Sequence, residues 1–379
     1  MTDDSFPTGS NGRKPTDRAP HPKLRKGWTT GACAAAAAAA AYRATLTGEF
    51  QDSVTITLPR GQTPTFILAT QDHDAVATRA GIIKDAGDDP DVTHGLEIIA
   101  EVRDGKPGSG VTFIAGDGVG TVTLNGLALA PGEPAINPGP RTYITTALET
   151  VARELDQPGD GPPDIELTIT IPGGGEVAAK TMNRRLGIIG GLSVLGTTGV
   201  VVPYSCSSWI HSIQRGIDVA RAQGYSHVLA ATGRTSEKAA NSELCLPDEA
   251  LIDMGDFAGG LLKYVRTHPV DRLTIAGGFA KLTKLAQGAM DLHSSRTQVD
   301  FDKLSETLGT VGGDAGQMLA VRNANTAAHA FELAGGHAGA MANLIARQAR
   351  EVALATLAGG TEVEIWVYDR NGDRIGISS

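Results

Sequence analysis

"VDRLTIAGGFAKLTKLAQG", residues 270–288, sets the reading of the fold. A short apolar strand runs into Gly277-Gly278 and then into a helix-forming stretch that carries Lys281 and Lys284 three residues apart. "YSHVLAATGRTSEKAA", residues 225–240, is built the same way around Thr232-Gly233-Arg234. Strand, small-residue turn and helix in succession is the pattern of an open parallel α/β sheet, whose ligands sit at the carboxyl ends of the strands. Thr232, Gly233, Gly277, Gly278 and Lys281 fall on that edge, where a nucleoside or cofactor is expected. The two lysines read either as a pocket rim or as solvated helix side chains.

Downstream, helices are expected over about 315–333 and 338–357, and a last strand, "EVEIWVYD", ends in the turn signal "RNGD". Upstream of about residue 200 the pattern differs. "SVTITLP" and "PTFILAT" read as a hairpin, "LEIIAEVRD", "GVTFIAG" and "DIELTITIPGG" as further strands. "GEPAINPGPR" is too proline-rich for either element and leads into a helix over "TYITTALETVARELD". The fold class is α/β: a disordered tail over 1–23, an α+β domain over 24–200, and a Rossmann-like three-layer domain over 201–379. A chain of 379 residues exceeds one simple core, in keeping with two domains.

The composition narrows the function classes. A formal net charge of −9 argues against nucleic acid or an anionic membrane as partner. Cys33, Cys206 and Cys245 are far apart without a CxxC pair, which fits a reducing cytoplasm. No apolar run reaches membrane-span length and the first residues lack a signal-peptide pattern, so a cytoplasmic enzyme is expected.

Four stretches can carry chemistry. "KGWTTGACAAAAAAAAYRA", from Lys26, predicts a helix capped by Thr29 or Thr30, with Gly31 opening its amino end to an anion. The same residues also read simply as a capped, closely packed helix. "GDGVGTVT" holds Gly116, Gly118 and Gly120 but lacks the GxGxxG spacing, so it reads as a pocket wall. In residues 183–205, "NRRLGIIGGLSVLGTTGVVVPYS", glycines alternate with branched residues around Thr197-Thr198; bare backbone there implies tight folding around a ligand or another backbone. Arg184 and Arg185 precede it and could pair with carboxylates or lie in solvent. Asp85, Asp88, Asp89 and Asp91 lack the order of a calcium loop, and His293, His329 and His337 show no ligand spacing. No protein-bound metal is expected. Neither GxSxG nor a phosphate loop occurs, which leaves a nucleophilic hydrolase without support.

In order along the chain, "KGWTTGACAAAAAAAA", "KDAGDDPDVTHG", "GDGVGTVTLNGLAL…GEPAINPGPR", "LGIIGGLSVLGTTGVVVPYS" and "GGFAKLTKLAQGAMDLHSS" resemble the successive motif blocks of the CbiD family of cobalamin biosynthesis. The blocks span roughly residues 24–300. The resemblance implies methyl transfer from S-adenosylmethionine to C1 of cobalt-precorrin-5B, an anionic tetrapyrrole that brings its own cobalt. Such chemistry asks the protein to align donor and acceptor rather than supply a nucleophile, so the catalytic residues stay unknown. It also implies cations and open backbone for the substrate: Lys26, Thr29, Thr30, Gly31, Lys84, Arg141, Arg184 and Arg185, with Lys281 and Lys284 as further cations. Thr197, Thr198, Thr232, Gly233, Gly277, Gly278 and Lys281 are the expected donor contacts. Asp85 either orders its own turn or touches the donor.

This chain departs from the family blocks at Ala32, where a threonine is common, and at Ala39, where a lysine often stands. It departs again at Leu124 and Asn125, in place of a basic residue and proline. The alternative reading is a non-catalytic carrier of tetrapyrrole intermediates; a small-metabolite kinase ranks last. A homo-oligomer, or transient contact with neighbouring pathway enzymes, completes the expected partners.

Overall fold

A computed structural model describes residues 24–157, 159 and 161–379; the tail expected over 1–23 lies outside them. In the first half, helix α1 (Thr30–Thr47) is the centre of the packing. Thr29 caps it, its Oγ1 accepting from Ala32 N at 3.2 Å, and Gly48 in the left-handed region ends it. Every residue from Ala32 to Tyr42 is buried. Alanine is the best helix former and adds little bulk, so α1 can be enclosed on all sides. It lies against helix α2 (Pro138–Glu154) and a five-stranded sheet: β1 (Thr70–His73), β2 (Thr78–Ile83), β3 (Glu97–Asp104), β4 (Val111–Ala115) and β5 (Ile165–Thr170).

The order of that sheet is β1-β2-β3-β5-β4, antiparallel except where β5 runs parallel to β4. Ile98, Ala100 and Val102 of β3 and Ile165, Leu167 and Ile169 of β5 point into the core, the period of two expected of a half-buried strand. The hairpin read at 53–70 is present, with Val54 opposite Phe66. Helix α2 starts at Pro138, earlier than expected, because prolines at the first helical positions give up no hydrogen bond.

In the second half, α3 (Cys206–Ala222), β6 (His227–Ala231), α4 (Arg234–Leu244), β7 (Leu251–Asp253), α5 (Ala258–Thr267), β8 (Arg272–Gly278) and α6 (Phe279–Ala286) follow one another. After them come α7 (Phe301–Thr310), α8 (Ala315–Arg322), α9 (Ala327–Leu333), α10 (Ala338–Leu357), β9 (Glu362–Tyr368) and β10 (Arg374–Ser378). The sheet order is β7-β6-β8-β9-β10, parallel but for β10. Alternate strand residues serve two cores. Val228, Ala230, Leu273, Ile275, Val363 and Ile365 meet α3, α5, α6 and α10, while Leu229, Ala231, Ala276 and Trp366 meet α4 on the other face. The first half has its own separate core.

Two expectations are corrected here. The helix read over 315–333 is two helices, because Thr326 turns out of helical geometry and its side chain caps α9 at His329 N. The strand of 362–368 is not the last, since "RNGD" turns the chain back into β10.

Candidate active site

The strand order creates a crevice. From β6 the chain goes to β7 on one side, then crosses to β8 on the other, with α4 on one face and α5 on the opposite one. The carboxyl ends of β6 and β8 therefore diverge at a topological switch point, the place where open α/β sheets bind ligands. Thr232-Gly233 and Gly277-Gly278 are the two lips. Thr232 N donates to Ala276 O at 2.9 Å, and Lys281 Nζ crosses from α6 to Thr232 O at 2.8 Å. Five residues read as donor contacts, Thr232, Gly233, Gly277, Gly278 and Lys281, are thus brought together.

The glycines differ in purpose. A Cβ on Gly277 would stand 2.8 Å from Thr232 Cγ2, so packing alone requires it. Cβ atoms on Gly233 and Gly278 would meet nothing within 4 Å, and both have φ values that any residue adopts. Neither strain nor crowding asks for glycine there.

Carboxylates gather beside the crevice. Asp253 ends β7 half-buried; burial first, then the neighbouring Glu237 carboxylate, push its pKa up against Arg185 and Lys281. Asp256 Oδ1 is buried and pairs with Lys281 Nζ at 3.1 Å. Arg185, from the glycine-rich run of the first half, reaches Glu237 in the first turn of α4 with two bonds of 2.8 and 2.7 Å. Glu237, Asp253 and Asp256 went unread in the sequence. The signal was "ALIDMGD", an apolar strand ending in an acid and a glycine.

The first-half candidates do not converge as a group. Lys84 is 1% exposed, its ammonium bound to Asp91 and to Thr93 Oγ1, so it holds its own acidic loop and offers no free cation. Arg141 pairs with Glu133 at 2.7 Å and donates to Ile136 O, while Lys284 is buried against Leu292 O at 2.9 Å. At the start of α1 two of the donors are taken, Gly31 N by Leu195 O and Ala32 N by Thr29. Thr30 is buried, and Gly31 is required because a Cβ there would lie 2.0 Å from Tyr143 Oη. The opening for an anion expected there is filled by a tyrosine. Asp85 orders its turn, accepting from Gly87 N and pairing with Arg25, which holds its carboxyl down at about 2. Lys26 and Arg184 remain exposed and form no ion pair among the described residues.

In the glycine-rich run, a Cβ on Gly191 would lie 2.3 Å from the Gly118 backbone, so the tight fold there is around another backbone. Thr197 is exposed and Thr198 half-buried. Of the departures, Ala32 and Ala39 are both buried and present nothing to a ligand, and Leu124 packs where Gly187 has no side chain. Among the described residues no group of three or more His, Cys, Asp or Glu is placed to hold a metal, and no helix is long and apolar enough to cross a membrane. A depression of about 490 Å³ bounded by Asp218, Tyr225 and Asp271 lies at the opposite edge of the sheet, away from these loops.

The CbiD family profile matches residues 17–203, and the profile for the CbiD C-terminal domain matches residues 291–379. Relatives from Brucella abortus (strain S19) and Brucella canis are each 56% identical over 374 residues, 98% of this chain and 99% of theirs. The chain belongs to the CbiD family. Both of those CbiD relatives carry the name cobalt-precorrin-5B C(1)-methyltransferase. The crystal structure of the cobalamin biosynthesis protein (cbiD) from Archaeoglobus fulgidus is 28% identical, covering 72% of this chain and 83% of that one, with a TM-score of 0.39. The CbiD profiles leave residues 204–290 between them, the segment that holds both lips of the crevice.

Proposed function

We infer that this chain transfers a methyl group to C1 of cobalt-precorrin-5B. The observation that carries the reading is identity of 56% over nearly the whole length with proteins named for that reaction. The relatives are named as enzymes, which favours catalysis over a carrier role. The residues fit the implied donor, S-adenosylmethionine: a carboxylate at Asp256, whose Oδ1 pairs with Lys281 at 3.1 Å, and two glycines, 233 and 278, with open space where side chains would stand. When bound, the donor supplies a sulfonium methyl to a nucleophilic ring carbon, and S-adenosylhomocysteine leaves.

The chain's own residues align the partners and keep water out. Bare backbone at Gly233 and Gly278 admits the nucleoside. Asp256 offers an acceptor to its ammonium or ribose hydroxyls, and Lys281 holds the Thr232 lip in place. We take residues 24–200 as the acceptor-side domain and 201–379 as the Rossmann-like donor-side domain. Lys26 and Arg184, the exposed cations, are the proposed partners for substrate carboxylates.

Incubation with methyl-labelled S-adenosylmethionine and cobalt-precorrin-5B, followed by NMR of the product, tests the reaction. Label at C1 is expected; label at another carbon, or none, overturns it. Gly278→Val is expected to raise KM for the donor about tenfold, the loss of roughly 1.4 kcal/mol of binding, without lowering Tm. An unchanged donor KM would move the donor site elsewhere.

A further inference from the structure

Tyr204 and Trp209 are two large aromatic side chains that the fold holds toward solvent, 68% and 45% exposed. Tyr204 sits at φ +56, a conformation bulky residues avoid, and its N–H donates to Asp89 Oδ1 at 2.8 Å. Strain of this kind persists where surroundings fix it and clusters at functional sites. Trp209 Nε1 donates to Asp253 O at 3.1 Å. Its indole lies over Gly255, where a Cβ would come within 3.2 Å, and tilts against Phe257 at 6.4 Å between centroids. Leu195 and Val202, from the same stretch of chain, are each half exposed.

These residues flank the first turn of α3, at the positions that commonly pack on each other to staple a helix start. A staple would bury the rings, and these rings are open. Beside them stands a cation: Arg296 is held by Asp291 at 2.7 Å and by Cys206 Sγ at 3.1 Å, its side chain still 56% exposed. The loop that fixes Trp209, Asp253 to Asp256, is the one whose carboxylates border the donor crevice. An apolar, aromatic surface next to a held cation suits a flat, mostly apolar ring system with anionic arms.

We propose that Tyr204 and Trp209 form the wall on which the face of the tetrapyrrole acceptor rests, with Arg296 taking one of its carboxylates. The proposal rests on the methyltransferase reading for the identity of the ligand. It places the acceptor ring against the same loop that borders the donor, which is the adjacency methyl transfer requires.

The test uses the full chain and three variants: Tyr204→Gly, which keeps the positive φ without strain, Trp209→Ala and Trp209→Phe. KM for cobalt-precorrin-5B and for S-adenosylmethionine are measured separately, and binding of the octacarboxylate uroporphyrin III is followed by absorbance. Tyr204→Gly and Trp209→Ala are each expected to raise the tetrapyrrole KM about tenfold, the loss of one aromatic contact and its buried area, and to leave the donor KM unchanged. Trp209→Phe is expected to recover most of the loss, which a purely structural role would not predict for the acceptor KM alone. An unchanged tetrapyrrole KM in both truncations, with the wild type active, overturns the proposal. So does a change confined to sedimentation, which would assign the rings to a second copy of the chain. If the wild type transfers no methyl group, the methyltransferase reading falls. The wall then stands if uroporphyrin binds the wild type and is lost in the truncations, and falls if it binds all of them equally.

Discussion

Gly31 shows how one residue can be read two ways until its neighbours are known. In sequence it looks like a gap left for a ligand at a helix start. In the fold, Tyr143 fills that gap, its hydroxyl donating to Gly196 O at 3.0 Å and standing near Thr29 Oγ1. Burial pushes the Tyr143 phenol up to about 12, so it stays a neutral hydrogen-bond donor. Gly31→Ala is expected to destabilise the chain by about 1–3 kcal/mol, the cost of overpacking a close contact, read as a lower urea midpoint. Adding Tyr143→Phe removes the hydroxyl and should restore part of the loss, though Pro140 Cγ also crowds the site at 2.9 Å. An additive pair would show that the two side chains do not compete for the space.

At the scale of elements, the second sheet carries a polar row across three parallel strands. His227 of β6 lies 2.8 Å from Thr274 Oγ1 of β8, which donates to Glu364 of β9 at 3.3 Å, and Arg272 pairs with the same carboxylate. Thr274 is fully buried and Glu364 nearly so, and charges of that kind persist inside only when paired. Burial first, then the Arg272 charge, pull the His227 pKa below 6.5, with Glu364 opposing. The unfolded chain therefore takes up the proton first as pH falls. Stability from this group is full above about 6.5 and is lost as pH drops from there through the folded value. Urea titrations from pH 7.5 down to 5 should show the advantage of the wild type over His227→Gln narrowing with acidification. A gap that widens would reverse the sign. Nothing in the β6 sequence announces this row, because its members are 47 and 90 residues apart and meet only through strand register.

For the whole molecule, the join between Arg185 and Glu237 ties the glycine-rich run of the first half to α4 of the second. Both side chains are mostly buried, so removing one partner strands the other. Arg185→Ala is expected to cost about 2 kcal/mol, and Arg185→Lys to recover only part, because an ammonium cannot make the two-pronged contact. The double variant Arg185→Ala with Glu237→Ala should be more stable than Arg185→Ala alone. Calorimetry that finds Arg185→Ala as stable as the wild type, or the two single losses simply adding in the double variant, would remove the pair from any role in holding the halves together.

The sequence by itself determined the elements around the site and the family. Strand, glycine turn and helix at 225–240 and 270–288 are local patterns, and so are the five ordered blocks; each is written in contiguous residues and survives without knowledge of distant neighbours. Even an element left unread, α3, carried its signal in Ile213, Ile217 and Ala220, spaced to bury one face. Only the tertiary structure decided the strand order that opens a crevice between β6 and β8. It alone decided that Lys84 and Arg141 are spent on internal partners while Lys26 and Arg184 are not, and that Tyr143 closes the start of α1. It also brought Asp253, Glu237 and Arg185 together. Those facts depend on which side chains meet across long stretches of chain, and pairing of that range leaves no mark in the local pattern of residues.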